Sequence, residues 1–279
     1  MNPRSETEPG PEAKENAWVR LLTKPLPALL AFVAVLLIWQ AAVTFLEIHP
    51  ITLPSPSKVM AAMWKERATL AEGFMATGLA SLLGLGVSVG VGVLISILFS
   101  QSRWMRSAFY PYVVFLQTVP IVAIAPLLIT WFGYGFRTIV LVSVIISLFP
   151  IVSNMTTGLI SIDQNLRDLF RLAGATRWQE LTKLRIPHAL SHLILGMRIS
   201  AGLAVIGAIV GEFFVGTNAT GFSGLGTVMT GWQNLARTDA IIAAILISTL
   251  LGISTLGVVN LFSRFVLNRW TASADFENE

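Results

Sequence analysis

Long apolar segments are the feature that most limits how this sequence can fold. A helix that crosses the hydrocarbon core of a bilayer needs about 20 mostly apolar residues. We find roughly six segments of that length, at residues 25–46, 74–99, 107–131, 138–160, 193–215 and 240–267. The predicted fold class is therefore all-α, a polytopic membrane protein of about six transmembrane helices.

The composition agrees with a chain surrounded by lipid. Hydrophobic residues make up 54% of the 279 residues and charged residues 12%, whereas soluble domains carry roughly 25% charged residues. The absence of cysteine excludes disulfides and thiol-based metal or redox chemistry. The basic residues lie between the apolar segments rather than on one continuous basic face, so we expect no nucleic-acid partner.

The positions of lysine and arginine predict the orientation of the chain, because cytoplasmic loops carry an excess of these residues. With the N-terminus inside, the inner side receives most of them, and the outer side receives only Lys58, Lys65, Arg67, Arg137 and Arg237. Both termini are therefore predicted to be cytoplasmic. The first apolar segment is longer than the core of a signal peptide and follows several glutamates, so we expect it to remain as a helix.

Residues 1–20 and 272–279 combine many charges with few apolar residues, which predicts a disordered cytoplasmic tail at each end. The transmembrane domain is predicted to occupy residues 21–271. After the first span, a proline- and serine-rich turn precedes mixed apolar and charged residues, which predicts a short outer-surface helix over residues 58–66. In the second span, Gly86 and Gly90 are four positions apart, a spacing that lets helices approach closely in lipid.

The longest charged loop between spans covers residues 161–187 and differs in character from the rest of the chain. Ser161 with Gln164, and Thr176 with Gln179, have the spacing of a capping box at a helix start. Gly174 suits the left-handed conformation that ends a helix, and Pro187 suits the first turn of the next one. The loop is predicted to contain two short helices that meet at Gly174.

Both short helices carry apolar and basic side chains together. The first places its apolar residues on one face, and the second offers Trp178, Leu181 and Leu184 beside its cations. Two interpretations follow from this pattern: an elbow that fills a groove of a partner protein, or an amphipathic loop that lies on lipid headgroups.

The loop resembles the cytoplasmic loop shared by the permeases of ATP-binding-cassette (ABC) importers, whose pattern is Glu-Ala-Ala, three residues, Gly, nine residues and Ile-x-Leu-Pro. Alignment on Gly174 places Leu184-Arg185-Ile186-Pro187 on the end of the pattern. Asp168-Leu169-Phe170 falls on Glu-Ala-Ala and departs from it, because Leu169 and Phe170 are bulkier than alanine. In that family the elbow is the coupling helix that docks on the ATPase. The resemblance implies ATPase-coupling roles for Asp168, Leu169, Phe170, Gly174, Ala175, Thr176, Trp178, Leu184, Ile186 and Pro187.

Two further stretches extend the resemblance. Gln117-Thr118-Val119-Pro120, with Ala125-Pro126-Leu127 and Trp131-Phe132-Gly133-Tyr134-Gly135 after it, is similar to the third span and outer turn of permeases for nitrate, sulfonates, taurine and thiamine-precursor pyrimidines. Gly211-Glu212-Phe213-Phe214 and Gly221-Phe222-Ser223-Gly224-Leu225-Gly226 resemble the fifth span and the loop that follows it in the same subfamily.

The resemblance implies a function and a set of partners. It implies the permease subunit of an importer for a small solute in the bacterial inner membrane, working as a homodimer with ATPase subunits and a substrate-binding protein. The chain has no G-x-x-x-x-G-K-[S/T] loop, so ATP hydrolysis is expected from a separate subunit and not from this chain. We expect no cofactor and no metal site, because His188 and His192 lack a third ligand.

Candidate residues for the translocation path are Gln117, Thr118, Pro120 and Glu212. Pro120 frees a backbone carbonyl within the third span, which suits a helix beside a pore as well as an ordinary kink. Gln117 and Thr118, like Ser143 and Ser147, offer polar contacts either to a solute or to a neighbouring helix. Glu212 is interpreted either as a path or gate residue, or as a structural bond to the glycine-rich loop after it.

Two other classes of membrane protein fit the sequence less well. An ion-coupled secondary transporter is expected to carry acidic or histidine residues in mid-membrane, and no acidic residue lies between Phe74 and Ile160. A membrane-bound enzyme is expected to gather histidines and carboxylates near one membrane face, and the sequence shows no such cluster.

Overall fold

The computed structural model describes residues 26–216 and 223–271, with side chains described as far as residue 265. The tails predicted at residues 1–20 and 272–279 lie outside these residues. No β-strand occurs in the described ranges, which confirms the all-α prediction. The helices in chain order are α1 Leu26–Phe45, α2 Pro56–Lys65, α3 Arg67–Gln101, α4 Arg103–Thr118, α5 Ile121–Phe132, α6 Phe136–Ile160, α7 Gln164–Leu172, α8 Arg177–Glu180, α9 Ile186–Val215, α10 Leu225–Asn234 and α11 Thr238–Thr271.

Helices long enough to cross a membrane account for most of the described chain. Five helices meet the requirement by length and hydropathy, or up to six if one bent pair counts as a single span. The bent pair is α4 and α5, which meet at an angle of 100°. The prediction of about six spans is confirmed, but the third span was predicted as one helix over residues 107–131 and is instead broken.

The break in the third span has a local cause. Val119 adopts an extended conformation with φ −71° and ψ 126°, because the ring of Pro120 disfavours a helical residue immediately before it. Pro120 also lacks an amide hydrogen for the helical ladder. The helix therefore ends at Thr118 and restarts at Ile121 in a new direction.

The fifth span begins earlier than its apolar core indicates. A π-helical segment, Leu181–Arg185, joins α8 to α9 without a break, and the helical stretch Arg177–Val215 is 39 residues long. The second helix of the predicted elbow is therefore continuous with the helix of the fifth span, and Pro187 lies in the first turn of α9, as predicted, with no break before it.

The core of the bundle is the close packing of α6 against α9. A Cβ atom built on Gly207 would lie 2.7 Å from the Cα of Ser143, and one built on Gly196 would lie 2.9 Å from the carbonyl oxygen of Pro150. Buried serines join the same helices: Ser143 donates to the carbonyl of Ala204 at 2.9 Å. Small residues thus let two backbones meet, as expected where packing rather than hydrophobicity holds helices together.

Helix α3 packs against α6 on a different glycine face from the one predicted. A Cβ on Gly84 would overlap the side chain of Ser143, and one on Gly92 would lie 2.6 Å from Ile151, whereas Gly86 and Gly90 have nothing within 4 Å. Among the described residues, the Gly86 and Gly90 pair is therefore not a helix contact. The glycines that carry the contact lie on the opposite side of the same helix.

The opposite end of the bundle from the elbow carries the short helix α2, whose predicted position over residues 58–66 agrees with Pro56–Lys65. Arg237, just before α11, donates to Glu66 at 2.8 Å with both side chains partly buried. This ion pair fixes the start of α11 beside the start of α3.

Candidate functional site

The charged loop at residues 161–187 folds into an elbow of two short helices, α7 and α8, between which the chain reverses at Gly174. Gly174 has φ +72°, the left-handed region that glycine adopts without strain. The amide of Gly174 donates to the carbonyl of Arg171 at 3.0 Å, and that of Ala175 to the carbonyl of Phe170 at 3.0 Å. The glycine therefore closes α7 and turns the chain towards α8, as the sequence predicts.

The start of α8 has the predicted capping box. The amide of Gln179 donates to the hydroxyl of Thr176 at 3.3 Å, and the amide of Thr176 donates to the side chain of Gln179 at 2.8 Å. The other predicted capping box is wrong. Asp163, not Ser161, precedes α7 and accepts a 2.8 Å hydrogen bond from the amide of Asn165.

One carboxylate holds the elbow together. Oε1 of Glu180 accepts from Nη2 of Arg185 at 2.6 Å and from Nε of Arg167 at 3.1 Å. Arg185 also donates to the backbone carbonyl of Ser100, at the end of α3, at 3.2 Å. Glu180 thus links the two sides of the elbow, and its partner Arg185 links them to the C-terminal end of α3.

The electrostatic balance at Glu180 favours its charged form. Burial on its own raises the pKa of Glu180, but the hydrogen bonds and positive charges of Arg185 and Arg167 outweigh burial and hold the pKa below its ordinary value. Glu180 lies among charged residues before the apolar part of α9, outside the hydrocarbon-spanning segment. The ion pairs are therefore fully formed at neutral pH.

The elbow leaves large apolar side chains uncovered. Leu169 is 64% exposed, Leu172 88% and Trp178 71%. Leu181 and Leu184, predicted as anchors for a partner, are instead buried, and Leu181 packs with Met155 and Leu159 of α6. We call the uncovered set, Leu169, Leu172 and Trp178, the elbow surface.

The remaining residues of the predicted coupling set also lie on the elbow. Asp168 is exposed and forms a 3.4 Å ion pair with Arg171, while Phe170, Ala175, Ile186 and Pro187 are partly buried. The structure therefore brings the predicted coupling residues into one region, with Leu184 and Ile186 turned towards the bundle rather than towards solvent.

The predicted path residues separate into two places. Gln117, Thr118 and Pro120 are exposed together at the break between α4 and α5. The hydroxyl of Thr118 donates to the carbonyl of Phe115 in its own helix at 2.9 Å. Glu212, by contrast, is fully buried and has none of these three residues among its hydrogen-bond partners.

Glu212 belongs to a buried network that joins three helices. Its Oε2 accepts from the hydroxyl of Thr77 at 3.0 Å and from the amide of Gly226 at 2.7 Å. A Cβ atom on Gly224 would overlap the carboxylate of Glu212. Of the two interpretations drawn from sequence, the geometry matches the structural bond to the glycine-rich segment. Ser143 and Ser147 likewise bond to neighbouring helices within the core, Ser143 to the carbonyl of Ala204 on α9 and Ser147 to the hydroxyl of Ser88 on α3.

An open groove runs between α9 and α11. Its volume is about 600 Å³, and its walls are mostly apolar side chains such as Ile199, Ile206 and Ile253. Arg198 is exposed at the edge of this groove. Glu212 does not line it.

No group of three or more histidine or acidic side chains suited to a metal ion occurs in the part of the chain that the structure describes. His188 and His192 do stack on one helix face, with ring centroids 5.8 Å apart.

Sequence reasoning missed the residues that stabilise the elbow, namely Arg167, Glu180 and Arg185. The signal was present in part, because Glu180 is the only acidic residue from Ala173 to Pro187, among several cations. Its pairing with Arg167 depends on the chain reversal at Gly174, which brings residues 13 positions apart into contact.

Comparison with known proteins shows that this chain is similar to transport proteins. Residues 69–268 match the sequence model of the binding-protein-dependent transport system inner membrane component. The formylaminopyrimidine transport permease protein of Halalkalibacterium halodurans is 34% identical over 80% of this chain and 88% of its own. The riboflavin transport system permease protein of Chloroflexus aurantiacus is 33% identical over 85% of this chain and 87% of its own.

A more distant relative and a solved structure agree. The putative aliphatic sulfonates transport permease protein of Bacillus subtilis is 28% identical over 94% of this chain and 91% of its own. A crystal structure of an amino acid ABC transporter superposes with a TM-score of 0.59, covering 73% of this chain and 97% of that chain at 18% identity. The structural likeness concerns the fold alone.

Proposed function

Because the chain belongs to the family of binding-protein-dependent transport system inner membrane components and is the permease subunit of an ABC importer, we propose that its elbow couples the spans to an ATPase. Membership of the ABC importer permease family implies an ATPase and a substrate-binding protein as partners. The chain is thus a non-catalytic transport subunit, and a separate ATPase subunit supplies the energy.

The observation that carries the coupling proposal is the elbow surface. Leu169, Leu172 and Trp178 are large, apolar and exposed, although Glu180 fixes the backbone beneath them. Exposed apolar patches with polar rims are typical of protein interaction sites. Binding of this surface in an apolar groove of a partner protein removes the three side chains from water, which is favourable.

We propose that both termini are cytoplasmic and that the elbow is on the same side. Helix α1 ends near α2, at the end of the bundle that also holds Lys58 and Lys65, and α11 starts at that end. The arginines concentrate at the elbow end. The excess of arginine there supports a cytoplasmic elbow under the positive-inside rule.

We propose that a second copy of the chain covers the groove between α9 and α11. Arg198 is exposed there among apolar side chains, and a charged side chain on a span is stable only where it faces a cavity or a partner. A homodimer that closes this groove encloses a central path, with Gln117, Thr118 and Pro120 contributed from the break in the third span. Membrane lipid contacts the remaining apolar surface.

The chain contains no cysteine, so single introduced cysteines can test the dimer. Ile206→Cys lies in the groove, at a position 53% exposed, and should form a cross-linked dimer in membranes. Leu94→Cys is the control, because Leu94 is 65% exposed on α3, outside the groove. Equal cross-linking at both positions would remove the support for this interface.

For the solute, we propose a small nitrogen heteroaromatic compound of the pyrimidine class. Relatives named for formylaminopyrimidine and riboflavin share 34% and 33% identity with this chain, and relatives named for aliphatic sulfonates share 28% and 27%. Nitrate, sulfonates and taurine are the competing solutes. Uptake of labelled formylaminopyrimidine and of labelled taurine, in cells with and without this chain, distinguishes the classes.

The coupling proposal is tested by affinity purification of the full chain in detergent, with identification of the proteins that co-purify. We expect a stoichiometric P-loop ATPase that is lost when Leu169 and Trp178 are both changed to alanine. Trp64→Ala is the matched control, because Trp64 is 73% exposed at the other end of the bundle. The opposite outcome is a chain that purifies without any partner protein and transports solute in liposomes on an ion gradient without ATP. That outcome would identify a secondary transporter.

A further inference from the structure

A cationic cavity lies between the elbow and the inner ends of three spans. Its volume is about 500 Å³. Phe99 and Ile160, at the ends of α3 and α6, form its apolar side. Arginines from α4, the elbow and the π-helical segment form the rest, and they are Arg103, Arg106, Arg167, Arg171, Arg177 and Arg185.

The positive charge of this cavity is not balanced within the described chain. The only acidic residue in its lining is Glu180, whose ion pairs are with Arg167 and Arg185. Arg171 has a long pair with the exposed Asp168. Arg103, Arg106 and Arg177 have no carboxylate partner among residues 26–216 and 223–271.

The geometry of the arginines favours an anion with several oxygens. A guanidinium group offers planar pairs of N–H donors that match the oxygens of a phosphate group. Arg103 is also the first residue of the 16-residue helix α4, so the free backbone amides of that helix start add positive potential at the same place. Arg103 and Arg177 are exposed, so an anion can reach their guanidinium groups from solvent.

The position of the cavity at the ends of the transmembrane helices indicates the source of such an anion. Its apolar side consists of residues that end transmembrane helices, and Trp104, 75% exposed, lies beside Arg103. Exposed tryptophan next to basic residues is typical of the headgroup level of a membrane. Basic pockets between helices at this level bind the headgroups of anionic phospholipids.

We propose that this cavity is a binding site for a phosphate group, the phosphodiester of an anionic phospholipid headgroup or a free phosphoester of the same chemistry. A bound phosphate contacts Arg103 and Arg106 of α4 on one side and Arg177 of the elbow on the other. It thereby ties the elbow to the membrane surface, so that the lipid composition affects the position of the elbow.

The test uses the full-length chain, delipidated in a neutral detergent, and measures binding by native mass spectrometry. The probes are phosphatidylglycerol, phosphatidylcholine and glycerol 3-phosphate. We expect phosphatidylglycerol to bind. The double variant Arg103→Gln and Arg106→Gln should weaken that binding by roughly tenfold or more, because each basic residue near the headgroup adds to the attraction.

Controls separate charge from folding. The double variant Lys58→Gln and Lys65→Gln removes the same charge at the other end of the bundle and should leave binding within about twofold. The double variant Arg103→Lys and Arg106→Lys retains the charge and should recover part of the binding. Unchanged thermal unfolding of each variant shows that the arginines, not the fold, are responsible.

Binding of a phosphate group from either source supports the site, and the probes distinguish the two sources. Binding of phosphatidylglycerol without glycerol 3-phosphate identifies a lipid headgroup, and equal binding of the two identifies a free phosphoester. The proposal is overturned if neither binds. It is also overturned if phosphatidylcholine binds as tightly and independently of Arg103 and Arg106, or if only an acidic segment of the ATPase protects these arginines.

Discussion

The hydroxyl of Thr77 donates to the carboxylate of Glu212 at 3.0 Å and accepts from the amide of Leu225 at 2.8 Å. One side chain of α3 therefore satisfies an acceptor on α9 and a donor on α10. Thr77 and Glu212 are both fully buried, so water does not replace these bonds when one partner is removed.

Thr77→Val should destabilise the protein by about 1–3 kcal/mol, because the amide of Leu225 and an oxygen of Glu212 then lose a partner in a buried place. The measurement is thermal unfolding in detergent, followed by intrinsic tryptophan fluorescence. Thr118→Val is the control, since that hydroxyl is exposed and bonds only to a carbonyl of its own helix. Equal melting temperatures for the two variants would contradict the network.

Gly207→Ala should destabilise the core by about 1–3 kcal/mol, the usual range for overpacking. Its new methyl group would lie too close to the Cα of Ser143. A backbone atom of a packed helix cannot move aside as the end of a flexible side chain can. Gly86→Ala, at an exposed position of α3 outside the groove with nothing within 4 Å, should be neutral or stabilising by up to about 1 kcal/mol. A melting temperature that falls for Gly86 and not for Gly207 would show that the packing of α6 on α9 is different.

Gly174→Val should uncouple ATP hydrolysis from transport while leaving the protein in the membrane. The left-handed backbone at Gly174 costs a β-branched residue about 1–2 kcal/mol, so the reversal between α7 and α8 shifts. Gly174→Asn is the conservative variant, because asparagine tolerates this conformation. Solute uptake per ATP hydrolysed is the measurement, and normal uptake by the valine variant would refute this role for the reversal.

Glu180→Gln should loosen the elbow, because the neutral amide no longer offsets Arg167 and Arg185. Hydrogen–deuterium exchange of α7 and α8, corrected for intrinsic rates, should be faster in the variant at pH 7. Glu72→Gln, at an exposed acid with no ion pair among the described residues, should leave exchange unchanged.

The same carboxylate predicts a pH dependence. Since the folded pKa of Glu180 is lowered, its stabilisation is present above the ordinary pKa of 4.5 and is lost only as the pH falls through the lowered value. Corrected exchange of the elbow should therefore be constant between pH 7 and pH 5 and should increase in more acidic solution. An increase already between pH 7 and pH 5 would show that another group controls the elbow.

Local signals in the sequence were enough for part of this structure. Apolar length located the spans, Gly174 marked the reversal, and the pair of Thr176 and Gln179 marked the start of α8. In each case the residue acts on its own backbone or on a neighbour within a turn, so the sequence itself contains the determinant.

Other features depended on contacts that sequence spacing does not reveal. Leu181 and Leu184 lie in the π-helical segment and are buried, and Leu181 packs with Met155 and Leu159 of α6. Helix α3 carries glycines on two faces, and only the position of α6 decides that Gly84 and Gly92 are the packed ones. At Pro120 the long apolar run favoured a continuous span, although the proline already carried the signal for a break.

The helical stretch Arg177–Val215 continues without a break from the elbow to the buried end near Glu212. Its 39 residues extend roughly 58 Å at a rise of 1.5 Å per residue, and no flexible hinge separates the elbow from the buried end near Glu212. A tilt of roughly 10° imposed at the elbow therefore displaces the far end by about 10 Å at that rise. If the elbow is the coupling site, we expect a movement of the elbow at one membrane face to reach the other face as a sideways displacement of this helix, because no loop interrupts it.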